Sequence, residues 1–192
     1  GEMVTALRVQ DKNGHFVLKL FESFTMVTIK LLYLISSFYE ECYIYKPFFS
    51  RNSNSEKYLV CKNFKYDPSS KELQEMVSKL EKVLSNANSN LFVNDIFPEL
   101  EVPGDFINII RYINIEIVNT QQVMINKIIT YIKGNNYFGE KYHEYREEQI
   151  KANEWWLNLF FIEDLNKKNE DLIKNRIEYN NSEKNLFVKS IV

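Results

Sequence analysis

An apolar run with a lysine inside it, His15 to Phe21, constrains the fold of this chain more than any other stretch. Its nearly continuous apolar character predicts a strand that is buried on both faces, as in a parallel sheet. Burying the ammonium of Lys19 in such a strand is costly, so the residue is a candidate for a chemical role. The alternative is an edge lysine whose charge reaches water along its flexible stem.

Three more elements follow this strand in close order. An apolar helix is predicted from about residue 23 to 38, then a strand over 42–45 that stops before Pro47, then a strand over 56–62. The polar loop between the last two strands is too short for a crossover helix, which predicts that they pair antiparallel. The first two strands are joined by a helix and are therefore expected to be parallel, or neighbours in one sheet.

Three strands and one helix are a poor core by themselves. We therefore expect residues 1–66 to be the C-terminal half of a Rossmann-like, doubly wound α/β sheet with an antiparallel last strand pair. The missing strands would come from an N-terminal half of the same domain or from a second chain.

The chain changes character after Pro68, and residues 67–192 predict a mostly α-helical extension. Asp105 can cap a long, isoleucine-rich helix that Gly134 stops. Further helices are predicted at about 141–167 and 169–179, followed by a short apolar tail over 185–192. Such an extension could also join two copies of the chain.

Composition narrows the classes of function. The net charge is −2, so no overall basic field points to nucleic acid, and any contact with RNA needs a local patch. Two scattered histidines with Cys42 and Cys61 predict neither a zinc site nor a disulfide framework, and reduced thiols fit an intracellular protein. The apolar run from Phe24 to Tyr39 contains Lys30 and is too short to span a membrane, so no membrane association is expected.

The order of motifs carries a more specific signal than any one of them. Four segments follow one another along the chain. They are Gly14-His15-Phe16-Val17-Leu18-Lys19-Leu20-Phe21, an apolar helix, Lys46-Pro47, and Ser50-Arg51 with Asn54-Ser55-Glu56-Lys57-Tyr58-Leu59-Val60-Cys61-Lys62. This order closely resembles the FtsJ/RrmJ-like RNA 2′-O-ribose methyltransferases, and most of all the branch that methylates the cap-proximal nucleotides of mRNA. The resemblance covers about residues 1–65.

The resemblance implies roles for particular residues. The family uses a Lys-Asp-Lys-Glu catalytic set, in which Lys19 matches the second lysine and Glu56 the glutamate. The candidate RNA-binding residues are Arg51, Lys46, Asn54 and Ser55. The first lysine, the aspartate and the glycine-rich loop for S-adenosyl-L-methionine lie upstream in the family and are absent here. This chain alone is therefore expected to be inactive.

The implied function is S-adenosyl-L-methionine-dependent methylation of an RNA ribose 2′-hydroxyl near the 5′ cap, with capped mRNA as partner. The alternative is a catalytically inactive relative that acts as an RNA- or protein-binding scaffold. Abundant asparagine and isoleucine suit an AT-rich genome, such as that of a large DNA virus. The expected location is the cytoplasm, or a virus factory or virion for a viral protein.

Overall fold

The computed structural model describes residues 1–47, 49–87, 93–160 and 189–190. It divides into two compact units, Gly1–Asn119 with Phe187–Val192, and Thr120–Leu186. The elements in chain order are α1 (Glu2–Val9), β1 (Phe16–Leu20), α2 (Met26–Ser37), β2 (Tyr39–Tyr45), β3 (Lys57–Phe64), α3 (Lys71–Ala87), α4 (Gly104–Lys133), α5 (Glu140–Phe160) and β4 (Lys189–Ser190).

The sheet of the first unit has the strand order β1-β3-β2-β4. β3 pairs antiparallel with β2, as predicted, and also antiparallel with β1. β1 and β2 therefore run parallel in one sheet, as one of the two predicted alternatives has it, but they are not neighbours because β3 lies between them. The loop after β2 is too short to carry the chain away, so β3 turns back beside β2 and occupies the place between the two strands that α2 connects.

β1 is covered on one face only. Leu18 is buried in the core, whereas Val17 is 59% exposed and Lys19 also lies on the exposed side. The expectation of a strand buried on both faces is therefore wrong for the described part of the chain. The reason is that β1 is an edge strand of this sheet, and the described helices cover one side of it.

α2 packs into the core of the first unit. Thr25 caps its N-terminus by accepting a hydrogen bond from the backbone N–H of Thr28 at 3.2 Å. Lys30 is buried, and its ammonium lies 2.8 Å from a carboxylate oxygen of Asp95. This ion pair ties α2 to the segment before α4, and it satisfies a charge that would otherwise be costly to bury.

Residues beyond 66 complete the same core. Leu73 and Val77 of α3, with Ile110 and Ile113 of α4, are buried in one cluster with the strands. Their spacing explains why an isoleucine-rich sequence of modest helix propensity forms α4 here, because packing stabilises it. The division into residues 1–66 and 67–192 stays a prediction.

In the second unit, the end of α4, the turn after it and α5 share an aromatic cluster. Tyr131 makes edge contacts with Tyr137 and Tyr145, with ring centroids 5.4 and 5.3 Å apart. The predicted long helix and its stop at Gly134 are confirmed. The predicted helix over 141–167 is confirmed as far as Phe160.

The remaining sequence predictions fall largely outside the described residues. They include the end of that helix, the helix over 169–179 and most of the tail over 185–192, of which only β4 is described. No helix among the described residues has both the length and the apolar character needed to cross a membrane.

Candidate active site at the end of strand β1

The pairing of β1 with β3 brings the two predicted catalytic residues together. Lys19 lies opposite Tyr58 in the register of the two strands, and Glu56 comes immediately before β3. The ammonium of Lys19 is 3.3 Å from a carboxylate oxygen of Glu56. Their side chains are 49% and 19% exposed, so the pair is open to a ligand from solvent.

Glu56 is held as a carboxylate by its neighbours. The hydroxyl of Tyr58 donates to its Oε1 at 2.6 Å. This bond is the largest cause that lowers the pKa of Glu56, and the charges of Lys19 and Lys46 lower it further, against the opposing effect of partial burial. Lys19 also lies 5.1 Å from the ring centroid of Phe21, close enough for a cation–π contact. The carboxylate is thus a fixed negative charge beside the amine.

The loop before Glu56 is organised around a buried ammonium. Lys46 is only 4% exposed, and it donates to the hydroxyl of Ser50 at 3.2 Å, the carbonyl of Asn54 at 3.1 Å and the carbonyl of Glu56 at 2.8 Å. It also lies 3.3 Å from the side-chain oxygen of Asn54. Burial lowers the pKa of Lys46, and the charge of Glu56 partly opposes this. Lys46 therefore fixes the loop that presents Glu56.

A second buried lysine adjoins the site, and the sequence analysis missed it. Lys57 is 1% exposed and donates to the carbonyls of Phe21 and Ser55. Burial lowers its pKa to about 8, with Glu22 opposing the shift and Lys46 adding to it. It joins the end of β1 to the loop before β3. Strict alternation along β3 could have revealed it, because Lys57 shares a face with Leu59 and Cys61, which are fully buried.

The four predicted RNA-binding residues lie in one loop, but their surroundings differ. Arg51 is exposed to solvent. Ser55 donates its hydroxyl to Glu22 at 2.6 Å, and the side chain of Asn54 accepts from the N–H of Glu56 at 3.2 Å. Lys46 is buried, with its ammonium facing loop oxygens. The structure gives Lys46 an organising role, and Arg51 is the cation of this set that faces water. RNA binding by all four stays a prediction.

The arrangement suits proton transfer from a hydroxyl group. An amine can accept a proton once it is neutral, and a nearby carboxylate can orient either the amine or the hydroxyl. Among the described residues, no group of three or more histidine, cysteine, aspartate or glutamate side chains could hold a metal ion. The described site brings the amine of Lys19 to the carboxylate of Glu56.

Comparison with known proteins relates part of this sequence to a family. Residues 2–64 match the sequence model of the FtsJ-like methyltransferase family. That stretch contains β1, β2 and β3 with both Lys19 and Glu56. Over that stretch the chain is similar to the FtsJ-like methyltransferase family.

Individual relatives extend the comparison. The chain is 32% identical over 106 residues, 55% of its length, to cap-specific mRNA (nucleoside-2′-O-)-methyltransferase 2 of Drosophila melanogaster, of which it covers 15%. It is 31% identical over 83% of its length to an uncharacterized protein of Acanthamoeba polyphaga mimivirus, of which it covers 42%. A third relative is the inactive cap-specific mRNA (nucleoside-2′-O-)-methyltransferase 1B of Caenorhabditis briggsae. It is 27% identical over 78% of this chain, which covers 18% of that relative.

The chain thus spans less than half the length of these curated relatives. Two of the three alignments also extend well past the family match, over 78% and 83% of the chain. The similarity to those relatives therefore includes helical residues beyond position 64, where the sequence alone offered no resemblance.

Proposed function

We propose that this chain supplies the proton-accepting half of an S-adenosyl-L-methionine-dependent RNA 2′-O-methyltransferase that acts on the cap-proximal nucleotide of mRNA. The observation that carries the proposal is the contact between Lys19 and Glu56, 3.3 Å apart where β1 and β3 meet. Both residues lie in the stretch that matches the family, and two relatives are named for cap-specific 2′-O-methylation, one of them as inactive.

A ribose 2′-hydroxyl is a poor nucleophile near neutral pH, so its proton must be removed as the methyl group is transferred. In the proposed step, Lys19 accepts the hydroxyl proton while the 2′-oxygen forms its bond to the methyl carbon. S-adenosyl-L-methionine bound to the full protein would supply that methyl group, and the bond between its sulfur and the methyl carbon would break to leave S-adenosyl-L-homocysteine. Glu56 keeps its negative charge, orients Lys19, and stabilises the ammonium that results. The lowered pKa of Glu56 supports this role, since the carboxylate then stays ionised through the reaction.

S-adenosyl-L-methionine is the methyl donor that the family implies, but the residues of this chain do not fit a binding site for it. Its five glycines are scattered singly, so they form no glycine-rich loop. The proposal assigns cofactor binding to another segment or chain, with residues that this sequence does not contain. Alone, residues 1–192 are expected to transfer no methyl group.

Two features of the first unit support a covering segment beside β1. The face of β1 that the described residues leave uncovered includes Val17, which is 59% exposed, and Phe21 just after the strand is 49% exposed. On the opposite side, that of Leu18, an apolar pocket of about 610 Å³ opens between α1, α2 and α3, lined by residues such as Val4, Val27 and Leu84. A further strand could pair with the edge of β1 that no described strand covers, and helices packed on that face and in the pocket would bury both apolar surfaces. We therefore propose that the N-terminal half of the domain binds here.

The test is methyl transfer to capped RNA by the full-length protein, with cofactor binding measured separately. Lys19→Ala should keep cofactor affinity but lose about 10²–10⁴ in rate, the usual effect of removing a general base. Lys19→Arg should not restore the rate, because a guanidinium does not release its proton to become a base. Lys62→Ala is the matched control, since Lys62 is an exposed lysine on β3 that pairs with Glu41 away from the site.

Transfer by Lys19→Ala at the wild-type rate would overturn the assignment. Loss of cofactor binding in the same variant would show a structural role instead of a catalytic one. Arg51→Ala should weaken RNA binding and lower its salt dependence, because an exposed arginine contributes through phosphate contacts. Its rate at saturating RNA should stay close to that of the wild type.

The second candidate function is a catalytically inactive scaffold that binds RNA or protein. We consider it because one relative, which aligns over 78% of this chain, is named as inactive. Retained binding of capped RNA with no methyl transfer by the wild-type full-length protein would select this alternative. Action in the cytoplasm, a virus factory or a virion stays a prediction.

A further inference from the structure

A second pocket lies beyond the C-terminal end of β1. Its volume is about 480 Å³, and it opens between the turn after β1 and the first half of α4. Ser23, Phe24 and Met26 line one wall, and Arg111, Asn114 and Ile115 line the other. None of these residues takes part in the Lys19–Glu56 site.

The base of this pocket is built by a buried polar pair. The hydroxyl of Ser23 donates to the side-chain oxygen of Asn114 at 2.6 Å, and the side-chain amide of Asn114 donates back to the carbonyl of Ser23 at 3.0 Å. The two residues are 1% and 8% exposed. Because both bonds are buried and reciprocal, they fix the turn against α4 and leave the pocket preformed.

The mouth of the pocket combines an aromatic ring with a cation. Phe24 is 61% exposed, Met26 41% and Ile115 57%, although all three are apolar. Arg111 is exposed, and within the part of the chain that the structure describes it forms no ion pair. An aromatic face beside an arginine is the combination with which proteins hold single-stranded RNA, by stacking on a base and contacting its phosphate.

The position of the pocket relates it to the proposed reaction. Ser23 follows Lys19 by four residues, so the chain between them can span at most about 14 Å. Stacked nucleotides advance about 3.4 Å per step, so a backbone separation of this size is comparable to about four nucleotides. An RNA strand with its reacting ribose at Lys19 can therefore reach the pocket with a neighbouring nucleotide.

We infer that this pocket, named here the α4 pocket, binds the base and phosphate of a nucleotide one to about four positions from the methylated ribose. The inference rests on the proposed function, since it takes RNA as the substrate of the Lys19–Glu56 site. Phe24 and Met26 contact the base, Arg111 contacts the phosphate, and the Ser23–Asn114 pair holds the two walls in place. A protein segment on the same apolar mouth is the competing occupant, and the exposed positive charge of Arg111 favours RNA.

The test measures binding of two capped, fluorescently labelled RNAs to the full-length protein: one that ends at the methylated nucleotide, and an oligonucleotide of about eight residues. Phe24→Ala should weaken binding of the longer RNA by about 5- to 150-fold, the effect of losing one stacked base, and leave binding of the shorter RNA unchanged. Arg111→Ala should reduce the slope of log affinity against log salt by about 0.7 for the longer RNA.

Phe138→Ala and Lys127→Ala are the matched controls, since each removes an exposed aromatic or cationic side chain in the second unit. Both should bind either RNA as the wild type does. Photo-crosslinking of the longer RNA, with thiouridine placed beyond the methylated nucleotide, supplies a measurement that needs no substitution. The crosslinked peptide should contain Phe24 or Arg111.

Three results would overturn the inference. If Phe24→Ala and Arg111→Ala both bind the longer RNA with wild-type affinity, the α4 pocket is not an RNA site, and the proposed reaction is unaffected. Crosslinks confined to peptides outside the pocket would do the same and would favour a protein occupant. Failure of the wild-type protein to bind either RNA would instead contradict the proposed function, and the pocket assignment with it.

Discussion

The burial of Lys57 makes the stability of the sheet depend on pH. Its pKa is about 8 in the folded protein, against an ordinary value of 10.5. Below about pH 8 both the folded and the unfolded chain hold the proton, and the folded state bears the cost of a buried charge. Between about pH 8 and 10.5 the folded chain releases the proton first, so the free energy of unfolding rises with pH.

The size of this effect follows from the two pKa values. At about pH 9.5 the amine of Lys57 is largely neutral in the folded chain and still largely charged in the unfolded chain. This difference raises the free energy of unfolding by about 2 kcal/mol relative to its value at about pH 7. Lys57→Met removes the titrating group from a position that is 1% exposed. The difference in unfolding free energy between wild type and Lys57→Met should therefore shift by about 2 kcal/mol in favour of wild type over this range.

Urea unfolding at several pH values, followed by circular dichroism, measures this difference. Lys62→Met is the matched control, because Lys62 is on the same strand with its side chain 48% exposed. Its unfolding free energy should run parallel to that of the wild type. The other titratable groups are common to all three proteins, so their contributions largely cancel in this comparison. Parallel pH dependence of the wild type and Lys57→Met would refute the reasoning.

Two further predictions concern packing and the carboxylate. Ile113→Asp should lower the free energy of unfolding by at least about 3 kcal/mol, because it places an unpaired charge at a position that is 3% exposed, and thermal melting would show the loss. Ile115→Asp, at a position 57% exposed, is the control, and equal melting of the two variants would contradict the described face of α4. Tyr58→Phe should raise the pKa of Glu56, because it removes the bond that lowers it most, and carbon NMR of the carboxyl group would detect the change. An unchanged pKa would show that Tyr58 does not hold the carboxylate in solution.

The sequence was sufficient to predict the elements that local patterns specify. Helical spacing located α2 and α4, turn length specified the antiparallel β2–β3 pair, and the motif order selected Lys19 and Glu56 as a pair. These features depend on spacing, caps and turns between residues close in the chain. Bringing Lys19 to Glu56 depended on the resemblance, because no local pattern relates a residue of β1 to one before β3.

The sequence did not specify which faces are covered. Lys19 was expected to be the buried lysine, yet its side chain is 49% exposed, while Lys57 is 1% exposed. Alternation shows which side chains share a face of a strand, but the burial of that face depends on the neighbouring layer. The placement of β3 between β1 and β2 is likewise a property of the assembled sheet. The Ser23–Asn114 pair joins residues far apart in sequence, which no local pattern could relate.

The insertion of β3 between two earlier strands has a consequence for how this chain is made. β1 and β2 leave the ribosome before β3 and cannot pair with each other in the native way, so each waits unpaired for the later strand. Such non-local pairing is slow compared with helix formation, because a long segment must be ordered before any contact rewards it. The contact between Lys19 and Glu56 depends on that same pairing, so the amine and the carboxylate meet only once the last of the three strands has been synthesised.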